Sequence, residues 1–137
     1  MLSDSPKKSA ADRHGGECCA TRPILAERPL LSPMRAGQLM GLFKALANDT
    51  RLRLLHQLTR VGEAGATALA EAVGTSPQAV SNQLQRLADW GMLASRREGN
   101  NIYYRVVDSC VSQLLDLGLC LMEESQAASD AKTKPGS

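Results

Sequence analysis

A mainly α, α+β fold in the order α-α-α-α-β-β-α is predicted by three features of this chain. Apolar residues recur at helical spacing in five stretches between residues 33 and 124. Two short strand-like segments lie between the fourth and fifth of these, joined by Glu98-Gly99-Asn100-Asn101, a hairpin-turn sequence. Helix start and stop residues separate the pieces.

Pro33 suits a helix start, and Leu39, Leu42, Phe43 and Leu46 then fall on one face. Asn48-Asp49 ends this helix and caps a second, whose buried side is Leu52, Leu55 and Leu58. Gly62 and Gly65 break the chain. Thr67 caps a short third helix, roughly Ala68 to Val73, which stops at Gly74. Ser76 is a good N-cap with Pro77 at the first helical position, so a fourth helix runs from Pro77 to Asp89. Val80, Leu84 and Leu87 line its inner face. Gln78, Ser81, Asn82 and Gln85 point outward, and Gly91 closes it. Strands over Met92 to Arg97 and Ile102 to Val107 follow. A last helix begins after Asp108 and runs to about Glu124, with Val111, Leu114, Leu115 and Leu121 apolar.

Three helices and a hairpin make a winged helix-turn-helix. The first and last helices keep more apolar surface than so small a core covers, which predicts a homodimer paired through them. The domain plan is a flexible N-terminal arm over 1–32 that holds the Cys18-Cys19 pair, a folded DNA-binding and dimerisation unit over 33–124 and a disordered tail over 125–137, both ends being polar and without sustained period.

Composition fits one small domain. The chain has 137 residues, 43% of them hydrophobic but only 3% aromatic, so its core is Leu, Ala and Val. Domains of this size have marginal cores, and a dimer interface adds to them. A net charge of +2 excludes a heavily basic nucleoid-coating protein and leaves room for local positive charge. No apolar run approaches the ~18 residues of a membrane span, and Met1 to Ala11 lacks a signal-peptide core. The expectation is a cytoplasmic protein with no membrane partner.

The fourth helix and the hairpin suit duplex DNA. Gln78, Ser81, Asn82 and Gln85, with Ser76 at the helix start, offer donors and acceptors to base edges. Gln and Asn in particular pair with adenine in bidentate fashion. Solvated helix faces usually carry Lys and Glu, whereas the first two turns here are uncharged and avoid repelling the duplex. Arg96, Arg97 and Arg105 on the hairpin stems, with Asn100 and Asn101 at its tip, suit phosphate or minor-groove contact. Arg51 is equally suited to phosphate contact or an internal ion pair.

Three motifs then stand in order: Ala45-Leu46-Ala47-Asn48-Asp49-Thr50-Arg51-Leu52-Arg53-Leu54-Leu55, Ser76-Pro77-Gln78-Ala79-Val80-Ser81-Asn82-Gln83-Leu84, and Arg97-Glu98-Gly99-Asn100-Asn101-Ile102-Tyr103-Tyr104-Arg105. Over about residues 34 to 124 the chain resembles the ArsR/SmtB family of bacterial metalloregulatory repressors. The resemblance implies a homodimer that binds an inverted-repeat operator and lets go when a metal binds. Gln83 stands where most members have His.

Thiols are the candidate metal ligands: Cys18, Cys19, Cys110 and Cys120. In a reducing compartment they are unlikely material for a disulfide framework, and any one alone reads as a small buried or incidental residue. The adjacent pair in a polar arm does not fit that reading. Arsenic and cadmium sensors of the family often carry Cys-x-Cys before the recognition helix, and Glu63 to Glu71 has no Cys. Its zinc sensors use Asp-x-His early in the last helix; here Asp108-Ser109-Cys110 has Cys in place of His. The later half of that pattern is out of phase, with Cys120 one residue before the expected position, so the zinc site does not carry over intact.

Ten helical residues between Cys110 and Cys120 span ~15 Å, too far for one ion within a protomer. The preferred site therefore joins Cys18 and Cys19 to Cys110 or Cys120, much as some arsenic-sensing relatives use a vicinal N-terminal pair plus a third thiolate. His14 is an auxiliary candidate, and His56 reads as a solvated or packed side chain. Thiolates select soft ions, namely As(III), Sb(III), Cd(II), Pb(II) or Hg(II), with Zn(II) a lesser fit.

Two rival readings remain open: a thiol redox or persulfide sensor on the same scaffold, and an inducer-independent winged-helix interaction module. An enzyme is not expected. There is no paired acid and base and no phosphate loop, and Cys18-Cys19 lacks the Cys-x-x-Cys spacing of thiol oxidoreductases.

Overall fold

The computed structural model describes residues 22–133, with side chains described through residue 127. A 3-10 turn at Leu25–Glu27 precedes α1 (Pro33–Leu46), α2 (Asp49–Val61), β1 (Ala64–Gly65), α3 (Ala66–Val73), α4 (Pro77–Asp89), β2 (Leu93–Glu98), β3 (Asn101–Val106) and α5 (Ser109–Thr133). This is the expected order with one extra strand.

Local chemistry sets the helix starts. The Ser32 hydroxyl accepts the Arg35 N–H at 3.1 Å ahead of Pro33. Asn48, rather than Asp49, caps α2 by accepting the Arg51 N–H at 3.0 Å. Ser76 accepts the Ala79 N–H at 3.2 Å and Pro77 opens α4, as its sequence predicts. Thr67 is not a cap: α3 begins at Ala66 behind Gly65, because Ala64 and Gly65 are drawn into the sheet beside Tyr104 and Tyr103 of β3. A Cβ at Gly65 would lie 3.3 Å from the Ile102 carbonyl, so glycine there suits the close approach of the strand to β3.

The sheet has strand order β1-β3-β2, all antiparallel. The hairpin is tighter than the sequence suggested. Glu98 pairs with Asn101, leaving Gly99-Asn100 as a two-residue turn, and Gly99 takes the positive φ (65°) that such a turn requires.

Leu54, Leu55, Leu58, Leu69, Val80, Leu84 and Leu87 are fully buried, with Ala45, Leu46, Met92, Leu93 and Tyr104 around them. On α2 the sealed residue is Leu54, not Leu52. Leu52 faces an apolar groove between α2 and α5 instead. Val111, Leu114 and Leu115 pack α5 against the core, after which the helix leaves the body: Leu117, Leu119, Leu121 and Met122 are exposed. α1 behaves likewise, with Met34, Leu39, Met40 and Phe43 exposed and only its last turn buried.

The tail expected over 125–137 is corrected for residues 125–133, which continue α5. Gln126, Ala127, Ala128, Ala131 and Lys132 are strong helix formers, and no breaker precedes Pro135. No helix among the described residues is long and apolar enough to cross a membrane.

Candidate nucleic-acid interface and thiol site

Gln78, Asn82 and Gln85 form one exposed stripe along α4, since steps of four and three residues return to the same side of a helix. The stripe is ordered lengthwise: Gln78 Nε2 donates to Asn82 Oδ1 at 3.4 Å, and Gln85 Nε2 to Asp89 Oδ1 at 3.0 Å. No acidic residue occupies the first turn, and Asp89 ends the helix. Ser81 is half-buried one step round and lines a cleft of about 540 Å³ between α3, α4 and the hairpin. Asn100, Asn101 and Ile102 form the opposite wall of this cleft, and Glu71 puts a carboxylate at its α3 edge.

Cross-strand partners share a sheet face. Arg96 faces Tyr103 and Arg105 faces Ala94 on one side, while Arg97 faces Ile102 on the side that carries buried Leu93 and Tyr104 nearer the body. The three arginines assigned together from sequence are therefore not equivalent.

Arg96 is committed within the protein. Its Nε and Nη2 each donate to Glu63 at 2.9 Å, Nη1 donates to Glu98 at 2.9 Å, and the guanidinium lies 4.8 Å from the Tyr103 ring centre. This bidentate pair holds the Glu63 carboxyl below the usual carboxylate range, the hydrogen bond from Arg96 being the largest cause. Glu63, in the link between α2 and β1, was not singled out by sequence; 33 residues separate it from Arg96, and no periodicity relates them. Arg97 and Arg105 are exposed on the hairpin stems.

Arg51 is engaged inside the protein by neutral acceptors rather than by an ion pair. It is half-buried, its Nε donating to Gln83 Oε1 and its Nη1 to the Ala45 carbonyl at 2.7 Å. The side chain at 83 is thus a hydrogen-bond acceptor facing α2, on the flank of α4 away from the polar stripe.

Cys110 is half-buried in the first turn of α5, where the Asp108 carboxylate accepts its N–H at 2.9 Å. Its sulfur is disulfide-bonded. Cys120 is a free, exposed thiol with Sγ 3.8 Å from Glu124 Oε2. Cys18, Cys19 and His14 lie outside the described residues. Among those described, no three His, Cys, Asp or Glu side chains converge as a metal set. His56 is exposed at the edge of the apolar groove. Both described cysteines sit on one straight helix ten residues apart, so they do not hold one ion within a protomer.

A polar recognition stripe, a wing and two unburied apolar helices define a winged helix-turn-helix DNA-binding regulator. The HVO_A0114 family model matches residues 46–107. A probable mercury resistance operon repressor of Streptomyces lividans is 40% identical over 95 residues, 69% of this chain and 75% of that protein. The crystal structure of the AntR antimony-specific transcriptional repressor superposes with a TM-score of 0.67 at 58% identity, covering 80% of this chain and 98% of that one. The solution structure of a homodimeric winged helix-turn-helix domain from Mycobacterium bovis, a possible ArsR-family regulator, gives 0.62 at 32% identity, covering 74% and 94%. The chain belongs to the ArsR/SmtB family of winged-helix transcriptional regulators, and is not an enzyme.

Proposed function

We propose that this chain is a homodimeric repressor that holds operator DNA when metal-free and releases it when thiolates of Cys18, Cys19 and Cys110 capture a soft ion. The observation that carries the metal half is the position of Cys110. It sits at the joint between wing and dimer helix, in the first turn of α5. The donor set is sulfur, which fits thiophilic ions and disfavours hard ones.

Similarity to an antimony-specific repressor favours Sb(III), with As(III) its nearest chemical analogue; Cd(II), Pb(II) and Hg(II) follow on softness. Cys120, exposed and about 15 Å further along α5, joins the set only from the partner protomer.

The dimer follows from the exposed apolar faces of α1 and α5 and the groove of about 590 Å³ that they flank, lined by Phe43, Leu46, Leu52, Leu115, Leu119 and Met122. A second copy seated there juxtaposes two α4 stripes, one for each half of an inverted repeat. Gln78, Asn82 and Gln85, with Ser76 and Ser81, read bases; Arg97, Arg105, Asn100 and Asn101 hold the backbone. Arg96 supports the wing.

The test is titration of reduced protein with antimonyl tartrate, following the ultraviolet sulfur-to-metal charge-transfer band. The band is expected in the wild type and lost in Cys18→Ser, Cys19→Ser and Cys110→Ser. Its survival in all three overturns the site.

The disulfide at Cys110 favours a second reading, a thiol redox switch using the same sulfurs. Oxidised, metal-free protein that loses its operator, while reduced protein ignores every ion, selects that reading.

A further inference from the structure

α1 is exposed from Pro33 to Met40 and meets the body only through its last turns. Two contacts made there lead to α4. The Arg51 guanidinium donates at once to the Ala45 carbonyl, in the last turn of α1, and to Gln83 Oε1, in the middle of α4. A carbonyl in the last turn of a helix lacks an intrahelical donor, and a cation is its natural partner. The second contact is steric: a Cβ at residue 41 would lie 3.2 Å from the Trp90 ring, so the indole that ends α4 lies against the bare backbone of Gly41. Gly41, Trp90, Ala45 and Arg51 line one open cleft of about 390 Å³ with Arg86 and Leu87. Beside the shared core of Ala45, Leu46, Leu84 and Leu87, these contacts tie α1 to α4 across the open cleft.

We infer that Arg51, Gln83 and the Gly41–Trp90 contact form a joint that fixes the angle of the recognition helix to the dimer helix. Arg51 and Gln83 are positioning residues: they touch no base, and they set the separation of the two α4 helices in a dimer. The inference rests on the dimeric DNA-binding reading above. It predicts that the joint governs how strictly the protein measures half-site spacing.

Gln83→Leu removes the acceptor and keeps the bulk; Arg51→Met removes the donors and keeps the stem. Both are compared with wild type on the operator duplex, on the same duplex lengthened by one base pair between half-sites, and on a single half-site. Discrimination between the two full-length duplexes is expected to fall about tenfold, the effect of losing one hydrogen bond to a charged donor. Single half-site affinity stays within about twofold, since the base-reading stripe is untouched. Gln83→Glu, which keeps an acceptor, restores discrimination.

Trp90 is the one tryptophan of the chain, so its fluorescence reads the joint without DNA. Acrylamide quenching is expected to rise in Gln83→Leu and Arg51→Met while sedimentation still shows a dimer. Unchanged spacing discrimination, or half-site affinity falling as far as operator affinity, overturns the inference. Unchanged quenching in both variants overturns it as well. If wild type binds no duplex, the repressor reading fails and quenching alone decides the joint.

Discussion

Arginines on one hairpin illustrate how a single residue type takes different work. Arg97 and Arg105 keep exposed guanidinium groups, whereas the fork of Arg96 is filled by Glu63 and Glu98 and backed by Tyr103. Each phosphate neutralised contributes ~0.9 to the slope of log affinity against log salt. Arg97→Ala and Arg105→Ala should each reduce that slope by about this amount, and Arg96→Ala should leave it unchanged; binding measured from 50 to 200 mM salt checks this.

Glu63 also gives the wing a pH dependence. Its carboxyl titrates lower in the folded protein than in the unfolded chain, because Arg96 stabilises the charged form. Protons are then bound more readily by the unfolded state, so this contribution is complete above the ordinary carboxylate pKa and is lost as pH falls through the depressed folded value. Acid unfolding of Glu63→Gln should show a shallower loss of stability across that window than wild type.

At the scale of elements, α4 was legible almost to the residue. Ser76-Pro77 is a local signal, Val80, Leu84 and Leu87 are a strict period, and both act within one helix. Ser76→Ala should cost about 0.5–2 kcal/mol through the lost cap, and Leu84→Ala about 2–5 kcal/mol through the cavity left in a sealed core, both read by denaturant unfolding.

Elements defined by distant partners were less legible. Ala64 and Gly65 are a strand only because Tyr103 and Tyr104 pass beside them, which moved the start of α3 off Thr67. Leu52 satisfies the helical period as well as Leu54 does, and only the placement of α5 decides which one is sealed. The contacts of Arg51 with Gln83 and of Arg96 with Glu63 join residues more than 30 apart in sequence, beyond the reach of any local pattern. The long α5 is the opposite case: its helix-forming composition beyond Glu124 was present in the chain, and the polar character of the segment masked it.

For the whole molecule, function depends on two surfaces that meet across a dimer. The apolar strips on α1 and α5 stay exposed in a single chain, so dissociation and operator loss should coincide. Replacing Leu119 and Met122 with Glu places like charges across the proposed interface. The double variant should sediment as a monomer and bind its operator at least tenfold more weakly than wild type, since only one half-site remains held.

The thiols bear on the same assembly. Cys110 opens the helix that carries the dimer strip, so in the proposed mechanism an ion held there with the arm sulfurs would act on the spacing of the two recognition helices. A coupling of about 1–3 kcal/mol corresponds to roughly 5–150-fold in affinity. The most direct measurement is operator affinity of the reduced dimer with and without antimonyl tartrate, in wild type and in Cys110→Ser. Wild type should release the duplex by at least the lower bound of that range, and Cys110→Ser should hold it equally in both conditions. Equal affinity with and without the ion in wild type, across the other soft ions as well, would contradict the coupling.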